Sequence, residues 1–146
     1  MQVEWLILAD AAQVVGGKLY LIGGGWDVLT VNSGFPVVQH CAIAAAFRVG
    51  WNETNQPYAI EIEVADEDLN ALLNVGARLE VGRPPGIPSG QDQRAQLALD
   101  LAITFERPGT YVAIARVEGE EQCRVPFRVI AGPLLAQPRS REEQGS

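Results

Sequence analysis

A single histidine, His40, and two cysteines, Cys41 and Cys123, set narrow limits on the chemistry of this chain. Metal sites built from His and Cys draw three or four ligands from local spacings, and neither C-x-x-C nor H-x-x-x-H occurs, so no metal is expected. A Ser-His-Asp or Cys-His relay would have to use His40, which stands in Val37-Val38-Gln39-His40-Cys41 at the mouth of a strand. A histidine there is expected to face solvent or cap a loop. Cys41 and Cys123 fall in separate strands, both on the apolar face by parity, and are expected as buried free thiols. Lys18 is the one lysine, with no Schiff-base or phosphate-loop motif around it. Gly23-Gly24-Gly25 is no phosphate cradle, because such a loop needs a helix directly after it. The next residues, Trp26-Asp27-Val28-Leu29-Thr30-Val31, alternate like a strand, so the glycines should mark a strand break or bulge. No cofactor is expected.

Binding chemistry has more candidates. In Gly82-Arg83-Pro84-Pro85-Gly86-Ile87-Pro88-Ser89-Gly90 the prolines fix φ and favour an extended, polyproline-like path. A rigid loop loses little entropy on binding, and Arg83 and Arg94 flank it as possible anchors for a carboxylate or phosphate. The competing expectation is a long connection that covers a sheet edge. Trp26, Asp27 and Trp51 stand at strand ends or loops, as a sugar or protein platform or as plugs for the ends of a β fold. Asp66-Glu67-Asp68 is an acidic turn. Calcium needs six to eight oxygens and three consecutive acids diverge, so a solvated turn is expected. Asn52-Glu53-Thr54 matches a glycosylation sequon that carries no weight without export.

Charge narrows the partners. Eighteen acidic against eleven basic residues leave a net charge of −7, which argues against nucleic acid and anionic membrane surfaces. No window approaches 18 uncharged apolar residues, so no membrane-spanning helix is expected. Met1-Gln2-Val3-Glu4 shows no basic leader, and a cytoplasmic location is the expectation. Hydrophobic residues make up 47% of the 146, enough to bury roughly two-thirds of the unfolded surface in one core.

The elements that must position these residues follow a period of two. Leu97, Leu99, Leu101, Ile103 and Phe105 alternate with Gln96, Ala98, Asp100, Ala102 and Thr104. Tyr58, Ile60, Ile62 and Val64 alternate with charged Glu61 and Glu63. Cys123, Val125, Phe127 and Val129 do the same, as do Cys41, Ile43, Ala45, Phe47 and Val49. The other face of that last strand carries Ala42, Ala44 and Ala46, which is either cramped by a neighbouring loop or a flat surface for a partner. If open, it suits self-association, with a two-fold dimer the simplest closed form. Gly16-Gly17, Asn52–Asn55, Asp66–Asn70, Arg107–Thr110 and Glu118-Gly119-Glu120 punctuate the strands. Leu69–Val75 is the one segment that suits a short helix, ended by Gly76. In the last hairpin, a three-residue loop at Val117-Glu118-Gly119, with Gly119 left-handed, pairs Tyr111 with Val125 and Ala113 with Cys123.

About eight short antiparallel strands predict one antiparallel β-sandwich over 1–132 and a frayed tail over 133–146. Pro108-Gly109-Thr110-Tyr111 resembles the tyrosine corner of immunoglobulin-like sandwiches, although Ala113 replaces the second cysteine of antibody domains. Several motifs also resemble a family of small bacterial proteins that is a domain of unknown function: Trp5-Leu6-Ile7-Leu8-Ala9-Asp10-Ala11-Ala12-Gln13, Gly23-Gly24-Gly25-Trp26-Asp27, Trp51-Asn52-Glu53-Thr54-Asn55, and the Gly82–Gly90 loop. The likeness runs over residues 3 to 130. It implies bacterial origin and a β-sandwich, and supplies no catalytic residues. The family's usual Asp-Glu-Asp-Gly turn reads Asp66-Glu67-Asp68-Leu69 here, so the turn should be reshaped. The functional expectation is a non-enzymatic binding or scaffolding module with a protein partner or a second copy of itself. The alternative is a small-molecule binder or hydrolase using loop carboxylates such as Asp10, Asp27 or Asp66 with His40.

Overall fold

The computed structural model describes residues 1–133; most of the expected tail, from 134 on, lies outside the described residues. The described chain is all β apart from one 3-10 turn at Trp51–Glu53. Its strands are β1 (Gln2–Val15), β2 (Lys18–Gly24), β3 (Val28–Val31), β4 (Val37–Val49), β5 (Pro57–Asp66), β6 (Ala71–Glu80), β7 (Gln93–Phe105), β8 (Gly109–Val117) and β9 (Glu120–Ala131). They form two sheets, in the orders β2-β1-β4-β7 and β3-β9-β8-β5-β6.

The alternating apolar positions turn inward in both sheets and share one core. Ile43, Phe47 and Val49 of β4, Ile62 and Val64 of β5, Phe105 of β7 and Val129 of β9 are all buried there. At one end the rings of Phe105 and Tyr111 meet edge to face at 4.8 Å, and Phe127 stacks on Tyr111 at 5.9 Å. Aromatic pairs at these separations add to the burial of their surface. The Tyr111 hydroxyl donates to the Arg107 carbonyl at 2.6 Å, tying the start of β8 to the turn before it.

Four expectations need correction. The second sheet is mixed, because β3 runs parallel to β9, with Val28 opposite Arg128 and Val31 opposite Ala131. Residues 71–80 are strand, with Gly76 paired to Glu61 mid-ladder. A free edge on β5 decides this segment, since strand preference depends on the neighbour more than on local propensity. The last hairpin turns on two residues, with Val117 opposite Glu120 and both Glu118 (φ 52) and Gly119 (φ 79) left-handed. A bulge then restores parity, so Ala115 meets Cys123 and Tyr111 meets Phe127. That extra residue, Gln122, accepts from the Val3 amide at 2.7 Å and donates to the Met1 carbonyl at 3.1 Å.

The fourth correction concerns the alanines. β1 pairs with β4 only as far as Ala9 opposite Ala42, then continues with β2 as a hairpin closed at Gly16-Gly17. The hairpin folds back over its own sheet. Ala42, Ala44 and Ala46 are fully buried within the single chain. Ala12, Leu19 and Leu21 of the hairpin pack with Ala42, Ala44 and Ala98. The Gln96 side-chain amide donates to the Gly17 carbonyl at 3.0 Å, fixing the hairpin tip over β7. Side chains no larger than methyl allow this close approach, so the alanine face is an internal contact. Gly23 permits the bend. It takes φ 58 opposite Asp10, and a β-carbon there would collide with the Asp10 carboxylate.

Candidate functional site

The chain's candidate residues do not gather at one place. Trp51 and Arg83 meet beyond the end of β4. The Arg83 guanidinium lies 3.8 Å from the Trp51 ring centroid, a cation–π stack. Its Nε donates to Thr54 Oγ1 and its Nη2 to the Trp51 carbonyl, both at 2.7 Å. Thr54 is buried and itself donates to the Trp51 carbonyl at 2.8 Å. Both the ring face and the fork of the guanidinium are engaged within the chain. The arginine pins the connection from β6 to β7 onto the 3-10 turn.

That connection is not the extended path expected from its prolines. Ile87 N–H donates to the Pro84 carbonyl at 3.4 Å and Gln91 N–H to the Pro88 carbonyl at 3.2 Å, giving two successive turns. Gly86 (φ 93) and Gly90 (φ 83) hold the third position of each. A proline φ also suits the second position of a type II turn, and a glycine after it closes the turn. The loop is further held by Gln93 Nε2 donating to the Gly82 carbonyl at 2.8 Å.

Arg94 has a different partner from Arg83. Its Nε donates to Glu4 Oε2 at 2.8 Å, while Arg48 pairs with Glu4 Oε1 at 2.6 Å. Trp26 and Asp27 sit at the opposite end of the molecule. Trp26 packs edge to face on Phe127 at 5.9 Å and plugs the core beside Phe105. Asp27 is exposed, and its carbonyl accepts from the Arg128 amide at 2.8 Å.

In the acidic turn only Asp66 faces the backbone. Its Oδ1 accepts from the amides of Asp68 at 3.0 Å and Asn70 at 2.9 Å. The Asn70 amide holds the Asp66 carboxyl below its ordinary value. Leu69, where the resembling family has glycine, is left-handed at φ 63. Among the described residues no three His, Cys, Asp or Glu side chains gather as a metal site. His40 lies exposed on β4, opposite Ala102 of β7. Cys41 is buried and Cys123 half-buried, both as free thiols. Burial, with the Asp10 charge, pushes the Cys41 thiol up to about 11, so it stays protonated and unreactive.

One surface was not anticipated. The outward side of the β1–β2 hairpin carries Val15, Tyr20 and Ile22, which are 50%, 55% and 70% exposed. A groove of about 460 Å³ runs beside it, lined by Ala11, Ala12, Gln13, Tyr20, Ile22 and Asp100. Its walls are apolar, with one amide and one carboxylate. It has no nucleophile–base pair, and its lining suits an apolar side chain or a cation. The signal available in sequence was the pattern Tyr20-Leu21-Ile22, apolar on both faces of a strand that comes after a glycine turn.

The sequence matches DUF6941, described as a family of unknown function, over residues 4–130. The chain belongs to this family. No curated protein matches it. The family assignment agrees with the resemblance to a family of unknown function over nearly the same residues. Among the described residues no helix is long and apolar enough to cross a membrane.

Proposed function

We infer that this protein is a non-enzymatic binding module, built on an immunoglobulin-like sandwich, whose partner-facing surface is the outward side of the β1–β2 hairpin. The observation that carries the reading is the cluster of Val15, Tyr20 and Ile22 on one side of one hairpin. Exposed apolar side chains scattered singly are ordinary, whereas a contiguous patch rimmed by polar groups marks a contact surface. Tyr20 adds a rigid aromatic anchor with a polar tip. Gln13 and Asp100 bound the groove and favour a partner segment that is apolar with a basic neighbour.

The immunoglobulin-like assignment rests on two features. The order β9-β8-β5-β6 with β4 beside β7 in the facing sheet corresponds to the G-F-C-C′ and B-E arrangement of variable-type domains. The Tyr111 hydroxyl reaching back four residues to Arg107 corresponds to the tyrosine corner.

The test is site-specific photocrosslinking in a lysate of the native host. A photoreactive residue at Ile22 is compared with one at Asp68, on the exposed acidic turn. Adducts unique to position 22, competed by unlabelled protein and lost in Tyr20→Ser, support the reading. Equal adducts at both positions, or none, overturn it. Turnover of ester or phosphoester substrates that disappears in His40→Ala would replace it with the enzymatic alternative.

A further inference from the structure

Each open sheet edge is a row of unpaired amides and carbonyls, and folded proteins normally blunt such edges with charge, glycine or proline, a bulge, or shortness. Three of the four outer strands here carry such devices. β3 spans only Val28–Val31. β6 carries Gly76, Arg78 and Glu80. β2 starts at Lys18 and ends in Gly23-Gly24. The fourth, β7, has the fewest: its charges are Arg94 and Asp100, and the hairpin tip reaches over its outer face at Gln96 while its far edge stays unpaired among the described residues. It pairs with β4 without a bulge from Gln93 opposite Val49 to Phe105 opposite Val37. It contains no proline or glycine, and from Ala95 to Phe105 its one charge is Asp100. Among the described residues no strand pairs with its far side. Leu97 and Leu99, which point to the core, are only half-buried.

We propose that β7 is the pairing edge for a second copy of this chain, the two β7 strands running antiparallel about a two-fold axis at Ala98. The proposal deepens the binding-module reading by naming a second copy as partner, and it uses the β7 edge, which shares only Asp100 with the hairpin groove. Pairing in this register preserves the inward and outward faces. It sets Leu97 opposite Leu99 of the second copy and Ala95 opposite Leu101. On the outer face Ala98 meets Ala98, and Asp100 meets Gln96 instead of a second Asp100. Arg94 falls opposite Ala102, one diagonal step from Asp100 of the second copy, within reach of a long side chain. The charges are thus complementary twice over by symmetry. Arg94 is 51% exposed, and Glu4 keeps Arg48 as a partner when Arg94 turns away. The two four-stranded sheets become one continuous sheet. Contact along one strand edge makes a small interface, so a weak, concentration-dependent association is expected.

Sedimentation velocity of the full chain, from micromolar to hundreds of micromolar, tests this. The wild type should show a concentration-dependent monomer–dimer equilibrium. Asp100→Arg alone and Arg94→Asp alone should each weaken it by about tenfold, through two like-charge contacts per dimer. The double swap, Arg94→Asp with Asp100→Arg, should restore it. Melting curves identify any variant that fails to fold. For that case, hydrogen exchange of the wild type supplies a second measure, since amide protection along Ala95–Ile103 should rise with protein concentration. A wild type that stays monomeric, or a dimer indifferent to both single changes, overturns the proposal. A dimer broken instead by Tyr20→Ser with Ile22→Ser places the contact on the hairpin; that overturns edge pairing and leaves the binding-module reading standing. Photocrosslinking from Ile22 with a monomeric wild type separates the two in the same way.

Discussion

Removing one oxygen atom from Tyr111 tests how the start of β8 is held. The residue is 4% exposed, its ring packs between Phe105 and Phe127, and its hydroxyl makes a 2.6 Å bond to the Arg107 carbonyl. Tyr111→Phe keeps both ring contacts and deletes only the bond. A typical intramolecular hydrogen bond contributes about 0.5–1.5 kcal/mol net. Arg107 is exposed, so its carbonyl can take a water in place of the hydroxyl and escapes the full penalty of an orphaned buried acceptor. The expected cost is therefore about 1 kcal/mol. For a domain of this size that lowers Tm by roughly 2–4 °C. Urea denaturation should show a lower midpoint with an unchanged slope. The pH dependence gives an independent check. Burial raises the Tyr111 pKa above 10.0. The un-ionised hydroxyl therefore contributes its full stability below pH 10 and loses it as pH rises through the folded value. The gap between wild type and Tyr111→Phe should shrink in that alkaline range. An unchanged melting curve at neutral pH would refute the argument, as would a loss as large as that of Tyr111→Ala. The latter would show that the hydroxyl carries the whole effect and that ring packing adds nothing to hold the turn.

Other contacts in the fold carry their own expected outcomes. Ala44→Leu should destabilise by about 1–3 kcal/mol through overpacking against the hairpin, measured by urea titration; no change would mean the hairpin does not cover Ala44. Ala44→Arg should unfold the chain instead of yielding a folded monomer, because no space or partner exists for the charge at this buried position. Arg83→Lys should cost about 1–2 kcal/mol and speed proteolytic cleavage of the 82–92 loop, since a lysine keeps the charge but not the fork or the stack. The Asp66 carboxyl is held low by the Asn70 amide. Its contribution should be present above the ordinary value of 3.8 and fade as pH falls through the lowered one. The melting difference between wild type and Asp66→Ala should therefore narrow under acid, and a difference that widens would contradict the turn geometry.

The strands and their inward faces were legible along the chain because a strand's side chains alternate with period two. Leu97 through Phe105, Tyr58 through Val64 and Cys123 through Val129 declare their buried side without reference to a partner. Gly16-Gly17 declares its turn for the same local reason, since both positions need positive φ. Everything that depends on which strand lies beside which was decided by tertiary structure. Residues 71–80 became a strand because β5 offered an edge. The last hairpin kept its parity through a bulge at Gln122, which the Met1 and Val3 backbone groups hold from another strand. The three alanines of β4 could have met solvent, a partner or the chain itself. Only the fold shows that a hairpin from earlier in the chain lies on them. Arg83 and Arg94 looked free because the residues that engage them, Thr54 and Glu4, stand 29 and 90 positions away. Local geometry is encoded locally, whereas the availability of a side chain depends on contacts that only the closed chain creates.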